Sequence, residues 1–280
     1  MTKVTVPNLL VSAQWLKENL LAENLIVLDA SMKPVGNVVA SQTIAHIPGS
    51  LRFDFDNEIR EKNTPHPHMM PTAEFFTEEM QKLGIDEDSA IVAYDNVGVY
   101  ASPRAWWMFR AMGHDNVAVL DGGLPAWINA GYEVSSTLAT PSLRGNFASH
   151  PRPELIVDSQ AVLHALNDSA FSVMDARSAG RFIGQEPEPR VGLRGGHIPG
   201  AVNIPFGETQ VDGVMKSPAL LQEMFAQYKN KKLIFSCGSG VTACILALAA
   251  EQAGLRNLAV YDGSWAEWGR EDSGLPVETG

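Results

Sequence analysis

The sequence predicts an α/β protein of two tandem domains, each a mainly parallel sheet with helices on both faces. Three observations carry this expectation. The chain repeats itself: "LIVLDA" (25–30) returns as "FSVMDA" (171–176), "AHIPGSLRF" (45–53) as "GHIPGAVNI" (196–204), and "AVLDGGLPAW" (118–127) as "AVYDGSWAEW" (259–268). Within each half, short β-branched runs alternate with helical stretches. The strand-like runs are apolar on both faces, the pattern of a parallel sheet covered by helices on each side. The offsets of 146, 151 and 141 residues differ as loop insertions would make them differ. A period this long means two domains rather than a solenoid.

In order, "LIVLDA" reads as a strand and "AHIPGSLRF" as a turn leading into another. "AIVAYDNVGVYASPRAWWMFRAMG" is a strand, a loop beginning at Asp95 and a helix. In the second half "FSVMDA" is a strand, "SPALLQEMFAQY" a helix and "KLIFS" a strand. "GVTACILALAAEQAG" is a helix closed by Gly254, and "NLAVYDG" the next strand. Residues 136–154 are rich in Ser, Thr and Pro, lack periodicity and read as a linker. The expected domains are therefore 1–135 and 155–280.

The chain has 280 residues, 45% of them hydrophobic, and a mean hydropathy of −0.05, enough apolar material for real cores. Its net charge of −11 argues against nucleic acid or an anionic membrane as partner, though not against a small anion in a local basic pocket. The first twenty residues have no continuous apolar stretch, so a signal peptide is not expected there, and no run approaches the length of a membrane span. Two cysteines make no disulfide framework, and free thiols suit a reducing cytoplasm.

The chemistry centres on "LIFSCGSGVTACILALAA" (233–250). Cys237 ends a strand and opens a loop before a helix expected from about Val241. Ligands of open parallel α/β sheets bind beyond the carboxyl ends of strands. Gly238 and Gly240 let backbone N–H groups converge, and a helix N-terminus adds positive potential. Both features favour an ionised sulfur, the nucleophilic form. Cys244, within the apolar run "TACILALA", reads as core. In the first half Asp95 stands where the second half has Cys237. A carboxylate does no thiolate chemistry, so that domain is expected to be catalytically silent. The two "HIPG" copies read as turns.

Several nucleophile chemistries fail on spacing. A cysteine phosphatase needs an arginine six residues after the cysteine, where this chain has Ala243. A thioredoxin-type site needs a second cysteine three residues on, where it has Gly240. A papain-type protease needs another fold. Sulfur transfer remains, in which the thiolate takes a sulfur atom and a ring of amides holds the persulfide. No zinc-ligand spacing and no phosphate loop is present, and no metal or organic cofactor is expected.

The repeat, both "HIPG" copies, "CGSGVTA" and "DGSWAEW" together resemble the tandem-domain rhodanese family of sulfurtransferases over essentially the whole chain. The resemblance implies two rhodanese-like domains and a persulfide on Cys237, cradled by Gly238, Ser239, Gly240, Val241 and Thr242. Thiosulfate-specific relatives carry basic residues directly after the cysteine. Here Gly238 and Ser239 are neutral, which implies a 2-oxo acid thiol as donor, with thiosulfate as the alternative. A non-enzymatic sulfur-binding or redox-sensing module is a more distant one. The substrate carboxylate is expected on Arg181 and Arg190, a bidentate clamp suited to a planar anion, with Arg177 and Arg194 as lower-ranked alternates. The family's Ser-His-Asp relay would fall on Ser239, His68 and Asp56, with His66 and Asp54 competing. The implied acceptor is a thioredoxin, a low-molecular-weight thiol or cyanide.

Overall fold

The computed structural model of the chain describes residues 2–34 and 45–280. It divides into two compact units: Met1–Lys62, Met70–Arg152 and Asp212–Val214 form the first, and Asn63–Met69, Pro153–Val211 and Met215–Gly280 the second.

In the first unit the chain runs through β1 (Leu10–Val11), α1 (Ala13–Asn19), β2 (Leu25–Asp29), β3 (Leu51–Arg52), α2 (Ala73–Lys82), β4 (Ala90–Tyr94), α3 (Ser102–Ala111), β5 (Val117–Leu120) and α4 (Gly123–Asn129). The strands form a parallel sheet in the order β1-β5-β4-β2-β3. All five residues of β4 are buried, as a central strand covered on both faces requires. Ser12 and Thr72 cap α1 and α2, accepting from Trp15 and Phe75 amides at 3.1 and 3.3 Å.

The second unit continues through β6 (Ile156–Val157), α5 (Ser159–Ala165), β7 (Phe171–Asp175), α6 (Ala179–Phe182) and β8 (Val202–Asn203). A hairpin, β9 (Gln210–Val211) and β10 (Val214–Met215), precedes α7 (Pro218–Met224), β11 (Lys232–Ser236), α8 (Ala243–Gln252), β12 (Leu258–Tyr261) and α9 (Ser264–Trp268). Its main sheet is again parallel, in the matching order β6-β12-β11-β7-β8. Helix α8 is buried from Ala243 through Glu251, the mark of an all-round apolar helix within a core. The helix expected over 217–228 stops at Met224 and ends in a 3-10 turn at Ala226–Tyr228.

Each "HIPG" segment closes a tight turn before a strand. Its glycine takes the left-handed conformation, φ 79° at Gly49 and 68° at Gly200. The two histidines tie neighbouring chain together: His46 Nδ1 lies 2.8 Å from Asp29 Oδ2, and His197 Nδ1 lies 2.8 Å from the Phe182 carbonyl.

Residues 136–152 of the expected linker pack as part of the first unit. The amides of Gly145, Phe147 and His150 donate to the carbonyls of Gln81, Ile85 and Met112 at 2.8, 3.0 and 2.8 Å. Phe147 is buried against Phe76 and Phe109. Arg152 forks onto Asp115 with two bonds of 2.6 Å, and this contact holds the Asp115 carboxyl below the usual carboxylate range. Low periodicity here marks a strap that follows the surface of a domain, not a free tether. Conversely, Asn63–Met69 belong with the second unit although they lie inside the first expected domain.

Candidate active site

Strand β11 ends at Ser236, and Cys237 begins the loop that reaches α8 at Ala243, two residues later than the sequence suggests. Backbone bonds to the start of α9 pin this loop. The Cys237 and Gly238 carbonyls accept from the amides of Trp265 and Ala266, each at 2.9 Å. The Cys237 amide donates to Ser264 Oγ at 3.1 Å, and that hydroxyl donates to the Tyr261 carbonyl at 2.8 Å. Ser264 is fully buried and holds a φ of 48°, a conformation costly for a residue with a side chain. Its hydroxyl sits where it fixes the backbone of the reactive position. Cys237 is only 1% exposed, so a small reagent, not a bulky one, suits the resting site. Cys244 is buried in the first turn of α8, its Sγ 3.2 Å from the Gly240 carbonyl.

Two arginines stand over the loop. A Cβ built on Gly238 would lie 3.1 Å from Arg181 Nη2 and 3.8 Å from Arg190 Nη1. Glycine therefore leaves the room in which both guanidinium groups approach the chain beside Cys237. Arg181 projects from α6 and is held by Glu188, Nη2 to Oε2 at 2.6 Å. The buried Glu188 carboxylate also takes Arg177 Nη1 at 2.8 Å. Arg190 donates to Ser239 Oγ at 3.4 Å, and Ser239 Oγ lies 2.9 Å from His68 Nδ1. His68 is buried with a left-handed backbone, φ 61°. Arg190 also lines a cavity of about 460 Å³, bordered by Pro65, Pro67 and Arg270.

The alternates have other duties. Arg177 is fully buried, forked onto Asp175, bonded to the Gly196 carbonyl at 2.8 Å and laid over the Trp265 ring at 4.2 Å. Burial works against its charge, but Asp175 and Glu188 outweigh it and hold its pKa above the ordinary arginine value. Arg194 bonds the Trp268 and Leu275 carbonyls at 2.9 and 3.0 Å and Ser273 Oγ at 3.0 Å, a clasp on the last residues of the chain. His66 lies near His68 in sequence, but its buried Nδ1 has no hydrogen-bond partner among the described residues. Asp54 and Asp56 belong to the first unit. Asp54 accepts from the Asn57 amide at 3.0 Å and pairs with Arg52 at 3.5 Å; Asp56 lies in the turn after β3. Glu188 and Ser264 are the site residues that sequence reasoning missed. Neither carries a spacing signal, since each acts through contacts only the fold creates.

The matching loop of the first unit is filled by its own side chain. Asp95 Oδ1 accepts from the amides of Val97 and Gly98, both at 3.0 Å. Oδ2 accepts from Tyr100, Ala101 and Ser102 amides at 3.0, 2.8 and 2.8 Å and from Ser102 Oγ at 2.7 Å. This loop after the central strand is thus a working anion cradle. Among the described residues, no group of three or more His, Cys, Asp or Glu side chains could hold a metal ion, and no helix is long and apolar enough to cross a membrane.

Comparison with known proteins agrees with this architecture. The rhodanese-like domain family matches residues 12–130 and 158–271. A 3-mercaptopyruvate sulfurtransferase of Rattus norvegicus is 42% identical, over 92% of this chain and 91% of that protein. A thiosulfate sulfurtransferase of Cricetulus griseus is 40% identical, again over 92% and 91%. The crystal structure of SseA from Escherichia coli, described with the catalytic mechanism of 3-mercaptopyruvate sulfotransferases, shares 34% identity. It covers 92% of this chain and 99% of its own, with a TM-score of 0.80.

Proposed function

This chain belongs to the rhodanese family, and from that premise we propose that it is an enzyme moving sulfur from 3-mercaptopyruvate to a thiol acceptor through a persulfide on Cys237. The observation that carries the reading is the approach of Arg181 and Arg190 to Gly238, beside the only cysteine that opens a loop. The substrate carboxylate takes both guanidinium groups. Arg181 is paired with Glu188, whereas Arg190 forms no ion pair among the described residues and donates to the Ser239 hydroxyl. Arg190 therefore supplies most of the free positive charge.

The Cys237 thiolate attacks the sulfur of the mercapto acid. As the new S–S bond forms, the C–S bond breaks, and its electron pair enters the CH₂–C=O unit as an enolate. The Cys237 hydropersulfide gives up its proton and the enolate carbon takes one, leaving pyruvate and a persulfide anion. In this reading Ser239 and His68, bonded at 2.9 Å, pass that proton. An acceptor thiolate then attacks the outer sulfur, and Cys237 leaves as thiolate. The catalysis is covalent with electrostatic support, and no step calls on a metal or organic cofactor. A thioredoxin, a low-molecular-weight thiol or cyanide fits as acceptor, and the two free thiols fit a reducing compartment such as the cytoplasm.

Adding 3-mercaptopyruvate without acceptor is expected to raise the intact mass by one sulfur atom and release one pyruvate per chain. Acceptor is then expected to discharge the sulfur. No mass gain would remove the persulfide reading. The hamster relative and the paired cations keep thiosulfate as a second donor, so both donors are compared in one cyanide assay. A kcat/KM favouring thiosulfate would reverse the donor assignment. Arg190→Ala and Arg181→Ala are each expected to lower kcat/KM for mercaptopyruvate, mainly through KM, by about ten- to a hundredfold for a charge-assisted contact worth ~1.5–3 kcal/mol. The loss is expected to be greater at Arg190. Unchanged kinetics in both variants would dismiss the clamp.

A further inference from the structure

Arg181 is gripped along one edge and open along another. Glu188 takes its Nε at 3.2 Å and its Nη2 at 2.6 Å. The far end, Nη1 and Nη2, faces the loop, 4.0 and 3.1 Å from a Cβ built on Gly238. A guanidinium held this way still has N–H groups to offer a carboxylate. Its charge, however, is already matched by a carboxylate oxygen 2.6 Å away.

The matching extends behind Glu188. Its side chain is 2% exposed, and Oε1 also takes Nη1 of Arg177 at 2.8 Å. Arg177 in turn lies on Asp175, Nη2 to Oδ2 at 2.7 Å. Asp175, Arg177, Glu188 and Arg181 thus form an unbroken alternation of carboxylate and guanidinium with no net charge. The arginine left over beside the loop is Arg190, which donates to Ser239 Oγ at 3.4 Å and forms no ion pair among the described residues. Arg270, which borders the same cavity as Arg190, is paired with Asp272 at 2.7 Å. Gly238 and Ser239 add no charge. Two guanidinium groups therefore offer hydrogen bonds here, but only Arg190 offers charge that no carboxylate has met.

We propose that Glu188 sets donor specificity: it positions Arg181 for hydrogen bonding yet cancels its charge, so the clamp fits a monoanion such as a 2-oxo carboxylate better than a dianion. This rests on the sulfur-transfer reading above, whose two donors it discriminates. A monocarboxylate needs one opposite charge and well-placed donors, and finds both. Thiosulfate brings a second negative charge that meets no second free guanidinium. Specificity is a difference of affinities, and any added positive charge is felt about twice as strongly by a dianion as by a monoanion. Glu188 withholds that added charge.

The test uses the full chain as Glu188→Gln and Glu188→Asp, with kcat/KM measured for 3-mercaptopyruvate and thiosulfate in one cyanide assay. Glutamine keeps the length and removes the charge. It is expected to raise the thiosulfate-to-mercaptopyruvate ratio about three- to tenfold at low ionic strength, mainly through KM. The shift is expected to shrink as salt rises. Aspartate keeps the charge and loses reach, so it is expected to weaken both donors and leave their ratio near that of the wild type. A merely structural contact would lower both donors together in both variants. Near-ultraviolet circular dichroism and Tm establish that each variant is folded. An unchanged ratio in folded glutamine variant, or an equal shift in the aspartate variant, would overturn the proposal. The wild type supplies a check that needs no variant: as competitive inhibitors, pyruvate is expected to bind more tightly than sulfate. A preference for sulfate would count against Glu188 just as decisively. Failure of the wild type to gain sulfur from either donor would instead remove the persulfide reading beneath it.

Discussion

Cys237→Ser is expected to lower sulfur transfer from either donor by at least about a thousandfold, the scale on which loss of a catalytic nucleophile is felt. A serine hydroxyl is almost entirely protonated at neutral pH and has no stable counterpart of a persulfide, so both half-reactions fail. The fold gives the variant little reason to collapse. Serine is close to cysteine in size, and the bonds that hold this position are made by its amide and carbonyl, to Ser264 Oγ at 3.1 Å and the Trp265 amide at 2.9 Å. Cys244 cannot take over, because it is enclosed in the first turn of α8. The measurements are pyruvate release, cyanide-dependent transfer and intact mass after donor addition, with near-ultraviolet circular dichroism to confirm packing. A folded Cys237→Ser protein that still gains one sulfur atom would move the nucleophile elsewhere.

Much of this was legible in the residues. The doubled segments and the strands apolar on both faces predict the two parallel sheets, because a buried strand leaves a hydrophobic run that no other arrangement demands. Cys237 announces itself by position between a strand and a glycine loop. What could not be read depends on contacts across long stretches of chain. Glu188 is one glutamate among many until the fold buries it between Arg177 and Arg181. Ser264 matters through a backbone angle and a hydroxyl aimed at an amide 27 residues away. His66 and His68 are equivalent in sequence, and only the left-handed turn at His68 brings an imidazole to Ser239. The strap at 136–152 looks like a linker because its ties to the first unit, backbone bonds and scattered side-chain contacts such as Asn146 with Asp86 and Arg144 with Glu78, follow no periodic pattern that composition records. Asp95 was recognisable as a lost nucleophile, but its six hydrogen bonds were not.

Those six bonds make Asp95→Ala the substitution expected to cost the most stability. The carboxylate is fully buried and is the acceptor for five amides and one hydroxyl. Alanine leaves those donors facing a cavity. A buried donor without a partner costs about 1–3 kcal/mol, and water entering the space offsets part of the total. A loss of about 4–6 kcal/mol remains, a large fraction of the ~5–15 kcal/mol that holds a typical domain folded. Asp95→Asn keeps one carbonyl oxygen but turns an NH₂ toward amides that are themselves donors, so its loss is expected to be smaller than alanine's yet clear. Calorimetry of the wild type and both variants reads the difference as a lowered transition for the first unit. The sign of an anion effect separates this cause from simple loss of volume. If the emptied loop is still a cradle, sulfate is expected to raise the Tm of Asp95→Ala and leave the wild type, whose cradle is occupied, much less affected. An alanine variant within about 1 kcal/mol of wild type would mean that the loop closes on itself without an anion.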